Sequence, residues 1–492
     1  MRRLALAALA ALVALASGCA VGPDYVQPKT EAPERWRIDY PAAAEVANTK
    51  WWQEFRDPAL DQLIDTALRE NRDLRMAAAR VDQFIGQLTT TRSQFYPQLG
   101  YGFDASRNRA SRVGQPPLAP GADPYSTLYQ GALNAQWQID LFGRVRRQSE
   151  AAQAQVYASE QGRRGVVLSL VASVAASYIA LRALDRQLEI AQATAQNYAD
   201  TQRIFELRFK GGVISEVELN QVQSQYQQAL AAIPALEQQI AAQENLISVL
   251  LGRNSGPIPR GLTIDQIAAP RIPDALPSTL LERRPDILQA EQILVASNAN
   301  IGAAKALYFP TLSLTGLLGS VSTAFGDFLS GPASVWAVAA GLTGPIFSFG
   351  QIEGQVQGAE AAQREALANY QQVIFNAFRE TNDALVGTVK KRDEVAAQTL
   401  RVAALRSAAR LSRVRFDNGY ASYIEVLYGE NELFTAELAA VRSQADSYTQ
   451  IVDVYRAVGG GWVSEADRLA PQPQLDAAQS AWWRVLEPAA GK

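Results

Sequence analysis

Residues 129–144 read "YQGALNAQWQIDLFGR", and two periodicities meet in them. Tyr129, Leu133, Trp137, Ile139 and Leu141 alternate with Gln130, Asn134, Gln136, Gln138 and Asp140. A period of two marks a strand with one apolar and one polar face. After Gly143 the alternation stops and no proline occurs through residue 209, which predicts a single helix about 100 Å long at 1.5 Å per residue. Upstream, across a polar loop containing "GQPPLAPGADP", Leu99, Tyr101, Phe103 and Ala105 alternate with Gly100, Gly102, Asp104 and Ser106. An aromatic-bearing apolar face backed by Gln and Asn fits a membrane β-barrel wall around a wet lumen. Strands of a soluble sandwich alternate in the same way, so the pattern alone leaves both readings open.

The second half of the chain repeats the first. At an offset of 213, Asp73 pairs with Asp286 and Pro97 with Pro310; further on, at an offset of 207, Gly143 pairs with Gly350 and Phe209 with Phe416. The expected organisation is a signal peptide over 1–18, then an extended segment and short helix over 19–70. The first repeat covers 71–250, with a helix, a β-hairpin at about 98–142, a long helix 144–209, a turn and a helix 215–250. A Pro- and Gly-rich linker covers 251–283. The second repeat covers 284–458, with a helix, a hairpin at about 311–348, a long helix 351–416, a turn and a helix 422–458. A C-terminal segment covers 459–492.

In the helices after the turns, apolar residues recur alternately four and three apart: Val222, Tyr226, Ala229, Ile233, Leu236, Ile240, and later Phe434, Leu438, Val441, Ala445, Tyr448, Val452. A sustained 3.5-residue repeat specifies a left-handed coiled coil. The second copy supplies two more strands, one with Leu312, Leu314 and Leu318 and one with Trp336, Val338, Ala340 and Leu342. Four strands are too few to close a barrel, which begins at about eight, and open edges do not face lipid. If the strands lie in a membrane, the chain must oligomerise. The fold class expected is mainly α with a β membrane part.

Composition removes other options. The 492 residues include no His, a single Cys, and Met only at positions 1 and 76. That excludes most metal sites, thiol nucleophiles and His-based acid–base chemistry, so no enzyme, metal or cofactor is expected. A net charge of −3 offers no basic block for nucleic acid. The N-terminus, "MRRLALAALAALVALASGCA", has the arginines, apolar stretch and small residues of an export signal. Cleavage before Cys19 removes Arg2 and Arg3 and leaves 44 basic side chains against 49 acidic ones. The Ala-Ser-Gly-Cys ending is similar to a bacterial lipobox, with Ala16 where Leu is usual, and makes Cys19 the expected lipidation site.

Several stretches, "YVQPKTEAPERW", "WWQEFRDPALDQLIDTAL", "LLERRPDILQAEQ", "IGAAKALYFPTLSLTG" and "GPIFSFGQIEG", closely resemble the TolC/OprM-type (NodT-like) outer-membrane efflux lipoproteins. The likeness covers essentially the whole mature chain. It implies a homotrimer whose twelve strands form one barrel and whose helices form a periplasmic coiled-coil tunnel. It implies a lipid anchor in the outer membrane of a Gram-negative bacterium, with Ala20 after the cysteine favouring that membrane. The implied partners are a periplasmic adaptor (membrane fusion) protein and an inner-membrane pump of the resistance-nodulation-division class. The function is then a passive exit duct for small molecules such as drugs. A conduit for protein or peptide secretion shares the fold, and a periplasmic coiled-coil scaffold without a pore stands as the reading from another class.

The helix–turn–helix tips hold the candidate site. "RFKGGVISEVEL" (208–219) and "RFDNGYASYIEVL" (415–427) place Glu218 and Glu425 at matching positions. Ser-x-x-Glu is a capping box, in which Ser accepts from the third backbone amide and Glu reaches back to the cap amide. By resemblance, the same glutamates narrow the periplasmic aperture together with Phe209, Phe416, Tyr420 and Tyr428. Tyr428 stands where the family's best-known member has an acidic residue, and Phe416 and Ala421 stand at its tyrosine and arginine latch positions. Packing of Phe209, Phe416 and Tyr420 is the expected substitute for that latch. The turns Lys210, Gly211, Gly212 and Asp417, Asn418, Gly419 are the expected adaptor contacts.

Overall fold

The computed structural model describes residues 20–28, 50–112, 119, 121–270, 283–459 and 462–475. The expected signal peptide and Cys19 lie outside the described residues. Among the described residues, eight α-helices and four strands follow in order: α1 (Pro58–Glu70), α2 (Arg72–Ser93), β1 (Gln98–Arg109), β2 (Tyr125–Ile139), α3 (Arg144–Lys210), α4 (Glu216–Leu250), α5 (Pro285–Lys305), β3 (Thr311–Ser322), β4 (Ser334–Thr343), α6 (Gln351–Asp417), α7 (Tyr423–Val458) and α8 (Trp462–Asp467). The described residues form two compact units that cut across the repeats: those within 1–29, 83–158 and 290–370 form one, and those within 30–82, 159–289 and 371–492 the other. Each unit draws on both copies.

The first unit contains the sheet, antiparallel in the order β1-β2-β3-β4. The register sets Tyr101 opposite Leu133, Leu133 opposite Leu318, and Leu318 opposite Trp336. Directly paired residues share a face, so these four form one apolar row across the sheet, and each is more than half exposed. Gln130, Asn134, Gln136 and Gln138 lie on the opposite face. Among the described residues, β1 and β4 each keep one unpaired edge. Just before the sheet, residues 20–25 are tied down: Val21 N–H donates to the Phe142 carbonyl at 3.2 Å. The buried Arg147 donates to the Asp24 carboxylate at 2.7 Å and to the Val21 and Gly22 carbonyls.

The second unit has an aromatic core. Trp51 stacks on Tyr455 at 5.0 Å and meets Trp462 edge to face at 6.0 Å. The apolar part of α3, with Val167, Val171, Val174, Tyr178 and Ile179 fully buried, packs into the same core. α3 is the one helix among the described residues long and apolar enough to cross a membrane. Its burial identifies the stretch as core. The described part of the junction between repeats is packed rather than free: Ile258, Ile264 and Ile267 are buried. Asp57 anchors it, accepting from the Ala59 amide, the Leu262 amide and the Tyr178 hydroxyl at 2.7–3.0 Å.

Each repeat joins a short helix to the end of a long hairpin, by different chemistry. Asn71 accepts from the Leu74 amide, starting α2, and donates to the Leu250 carbonyl at the end of α4. Arg284, 213 positions later, stands before α5 and donates to the Ala457 carbonyl, 207 positions after Leu250. Asp286 and Glu380 both pair with Arg284, at 2.7 and 2.9 Å. Burial disfavours the charge on Arg284, but those two carboxylates hold its pKa above the ordinary value.

Candidate functional site

Both hairpin turns close the same way. The amides of Gly212 and Val213 donate to the carbonyls of Phe209 and Arg208, and those of Gly419 and Tyr420 donate to the carbonyls of Phe416 and Arg415. Gly212 and Gly419 sit at φ +71° and +78°, where only glycine avoids a Cβ clash with its own backbone. Ser215 and Ser422 then take the cap positions of α4 and α7.

The two glutamates part company here. Glu218 completes a capping box, its carboxylate accepting from the Ser215 amide at 2.8 Å while its own amide donates to Ser215 Oγ at 3.3 Å. Ser422 makes no side-chain cap bond. Glu425 instead accepts from Arg415 Nη1 at 3.1 Å, and Arg415 also donates to the Tyr420 carbonyl. Arg208, the counterpart of Arg415, lies over the rings of Phe205 and Phe416 at 5.8 and 5.5 Å.

Within one chain Phe416 packs against two rings that the sequence did not single out. Its ring lies 6.2 Å from Phe205 and 5.2 Å from Tyr423, and Phe205 and Tyr423 are 4.2 Å apart. With Leu219, Val222 and Val426 they form a small core shared by both hairpins. Phe209, Tyr420 and Tyr428 are exposed. The sequence reading missed Phe205, Tyr423 and Arg415. Arg415 was legible as half of the repeated Arg-Phe pair, whereas the two rings carry no signal beyond helical spacing.

A polar joint lies further along the hairpins. Arg413 donates to Thr201 Oγ1 at 3.4 Å and pairs with Glu430 at 3.5 Å. Burial raises the pKa of the Glu430 carboxyl, and Arg413 pulls it back only in part. The Tyr423 hydroxyl is pushed up to about 12, by burial first and then by the Glu430 charge. A groove of about 940 Å³ runs beside this joint, lined by Arg186, Glu189, Tyr198, Arg406 and Glu437 among others. Along the second hairpin, Lys391–Asp446, Arg401–Glu432 and Arg406–Glu437 add ion pairs at 2.6–3.3 Å. Among the described residues no ion pair joins α3 to α4, and α4 carries no basic side chain.

The site holds carboxylates, aromatic rings and turns, and no group of His, Cys, Asp and Glu fit for a metal among the described residues. The profile of the outer membrane efflux protein family matches residues 63–253 and 276–460. The chain is 32% identical to the cation efflux system protein CusC of Escherichia coli over 92% of its own length and 97% of that protein. It is 31% identical to the probable efflux pump outer membrane protein TtgC of Pseudomonas putida, over 96% and 98% of the two chains. It is also 31% identical to the probable outer membrane lipoprotein SilC of Salmonella typhimurium, over 94% and 100%. A crystal structure of CusC superposes with a TM-score of 0.81 at 31% identity, covering 90% of this chain and all of that one. The open state of the Neisseria gonorrhoeae MtrE outer membrane channel gives 0.80 at 28%, covering 90% and 99%.

Proposed function

We propose, from the premise that this chain belongs to the outer membrane efflux protein family and is an outer-membrane efflux channel, that it is the passive exit duct of a three-part assembly. The observation that carries the reading is the sheet: four strands, one apolar face, and two open edges. An unpaired edge strands a row of amides and carbonyls, each costing several kcal/mol in hydrocarbon. Pairing β1 of one copy with β4 of the next removes both edges, and three copies supply twelve strands. The structural neighbours include solved outer-membrane channels.

The duct performs no chemistry. Energy enters from an inner-membrane pump of the resistance-nodulation-division class, reached through a periplasmic adaptor that meets the turns at Lys210–Gly212 and Asp417–Gly419. The inward face is mostly neutral Gln and Asn with Asp104 among them, a weak filter, so the pump selects the cargo, and the relatives' names range from cations to solvents. Lipidation of Cys19 fits the tether at Val21 and Arg147. It holds the chain two residues after Cys19 against Phe142, where the sheet ends and an acyl anchor can enter the membrane.

At the tips, three copies bring six carboxylates from Glu218 and Glu425 around one axis, a ring that attracts cations and repels anions. Exposed Phe209, Tyr420 and Tyr428 line the aperture beside them, and Phe416 supports it from the tip core. Bilayer recording of a Glu218→Gln/Glu425→Gln double variant is expected to lose cation preference; an unchanged reversal potential and conductance rule the ring out. Photo-cross-linking from positions 210 and 418 is expected to capture a co-expressed adaptor. Consistent failure in a working pump contradicts tip contact.

A further inference from the structure

The end of the sheet opposite the helices carries side chains that channel closure does not use. The apolar face continues past Tyr101, Leu133, Leu318 and Trp336 to Phe103 and Tyr129, and there the β3–β4 connection folds back onto it. Phe328 meets Phe103 edge to face at 5.5 Å, and Phe325 meets Tyr129 at 5.5 Å. Gly131 makes the room: a Cβ there would lie 2.7 Å from Phe328 Cζ. Phe325 and Leu329 remain 68% and 89% exposed, extending the apolar surface outward.

One step further along the same face stand two arginines. Arg107 and Arg109 share the parity of Phe103, and their guanidinium carbons lie 5.5 and 5.8 Å from the Tyr125 ring centre. Among the described residues neither joins an ion pair. Asp123 in the adjoining turn accepts from the Tyr125 amide, and Asp327 pairs with no arginine. From Ile139 to Tyr129 the face runs about 34 Å along the strand, or about 26 Å along the normal at a tilt of roughly 40°. That is close to the full apolar band of such a barrel, about 25 Å. The arginines therefore begin where hydrocarbon ends.

We propose that this end of the sheet binds a phosphate-bearing, multiply acylated lipid of the outer leaflet. Its acyl chains lie against Phe325, Phe328 and Leu329, and its phosphates meet Arg107 and Arg109. A guanidinium fork takes two phosphate oxygens at once, and stacking on Tyr125 limits the entropy lost on binding. The proposal rests on the apolar face being the lipid face, which the channel reading requires.

The test uses the intact purified channel in detergent, titrated by native mass spectrometry with a bisphosphorylated hexa-acyl glucosamine disaccharide lipid and its phosphate-free form. Inorganic phosphate serves as competitor. The phosphorylated lipid is expected to bind at least tenfold more tightly than the phosphate-free form. Arg107→Gln/Arg109→Gln should remove that difference, Arg107→Lys/Arg109→Lys should keep part of it, and millimolar inorganic phosphate should not displace the lipid. Equal affinity for both lipids, or a double Gln variant that binds like the parent, overturns the proposal, as does full displacement by inorganic phosphate. Bilayer conductance of the same preparations separates this failure from failure of the channel reading. A parent that conducts but shows no arginine-dependent binding refutes the lipid site alone.

Discussion

The two repeats share one geometry and hold it with opposite chemistry. At the joint between short helix and hairpin, Asn71 in the first copy is neutral, while Arg284 in the second is a buried cation between two carboxylates. At the tip, Glu218 is satisfied by its own helix, while Glu425 is held by Arg415. Between the helices, α3 and α4 meet through Ala191, Leu236, Ala195 and Ala229, whereas α6 and α7 are laced by ion pairs. Duplicated backbones need the same hydrogen-bonding groups satisfied at the same places, but not by the same side chains. The consequence is a first hairpin whose charge gathers at one end, where Arg260 bridges Asp185 and Glu244, beside a second that carries ion pairs along its length and responds more strongly to salt and pH.

That contrast is sharpest at the joints. Arg284→Ala strips the Ala457 carbonyl of its donor and leaves Asp286 and Glu380 without their cation. Both carboxylates are more than a third exposed, so the expected cost is about 1.5–3 kcal/mol, that of hydrogen bonds to charged groups. Asn71→Ala removes a cap and one bond to a carbonyl, for about 1–2 kcal/mol. Chemical denaturation of the two variants side by side measures the difference, and equal losses would erase the distinction drawn at this level.

The next effect is one of pH. Burial lifts the Glu430 carboxyl above its ordinary 4.5, so between that value and the raised one the folded state binds more protons than the unfolded. Stability contributed by this group therefore rises on acidification through that window and falls as pH climbs out of it. Hydrogen exchange along residues 395–445 is expected to slow as pH drops toward the ordinary 4.5 after correction for the intrinsic rate, and Glu430→Gln should flatten the trend. Exchange along residues 216–240 of α4 should lack it.

The smallest effects lie at the tips. Glu218→Ala opens a capping box and is expected to cost about 1 kcal/mol whatever the salt. Glu425→Ala removes an exposed ion pair worth a few tenths of a kcal/mol, and that cost should fade at high salt. Thermal melting of both variants at low and high salt checks it; a salt-dependent loss at Glu218 would mean its carboxylate acts mainly through charge.

Much of this architecture was legible in the sequence. Proline-free runs, paired glycine turns and an offset repeat gave α3, α6 and their partners to within a residue or two, because helix periodicity and turn chemistry act locally. The alternation in 129–141 identified the apolar face, and the register put Tyr101, Leu133, Leu318 and Trp336 in one row. At the tip the same reasoning stopped short. Ser215 and Ser422 carry identical spacing to a glutamate, yet only one forms a box, because Arg415 offers the second glutamate a charged partner across the turn. Phe205 and Tyr423 looked like ordinary helical positions and turned out to hold Phe416.

The sequence by itself determined the duplication, the two periodicities, the turn glycines and the impossibility of closing a barrel with four strands. Each rests on a residue's own backbone preference or on its near neighbours. Only the tertiary structure decided that Asn71 and Arg284 do the same work, which glutamate takes which partner, and that Phe328 lies over Gly131 on the sheet face that also carries Arg107 and Arg109. Those outcomes depend on groups brought together from distant parts of the chain, where burial and charge, rather than spacing, select the partner.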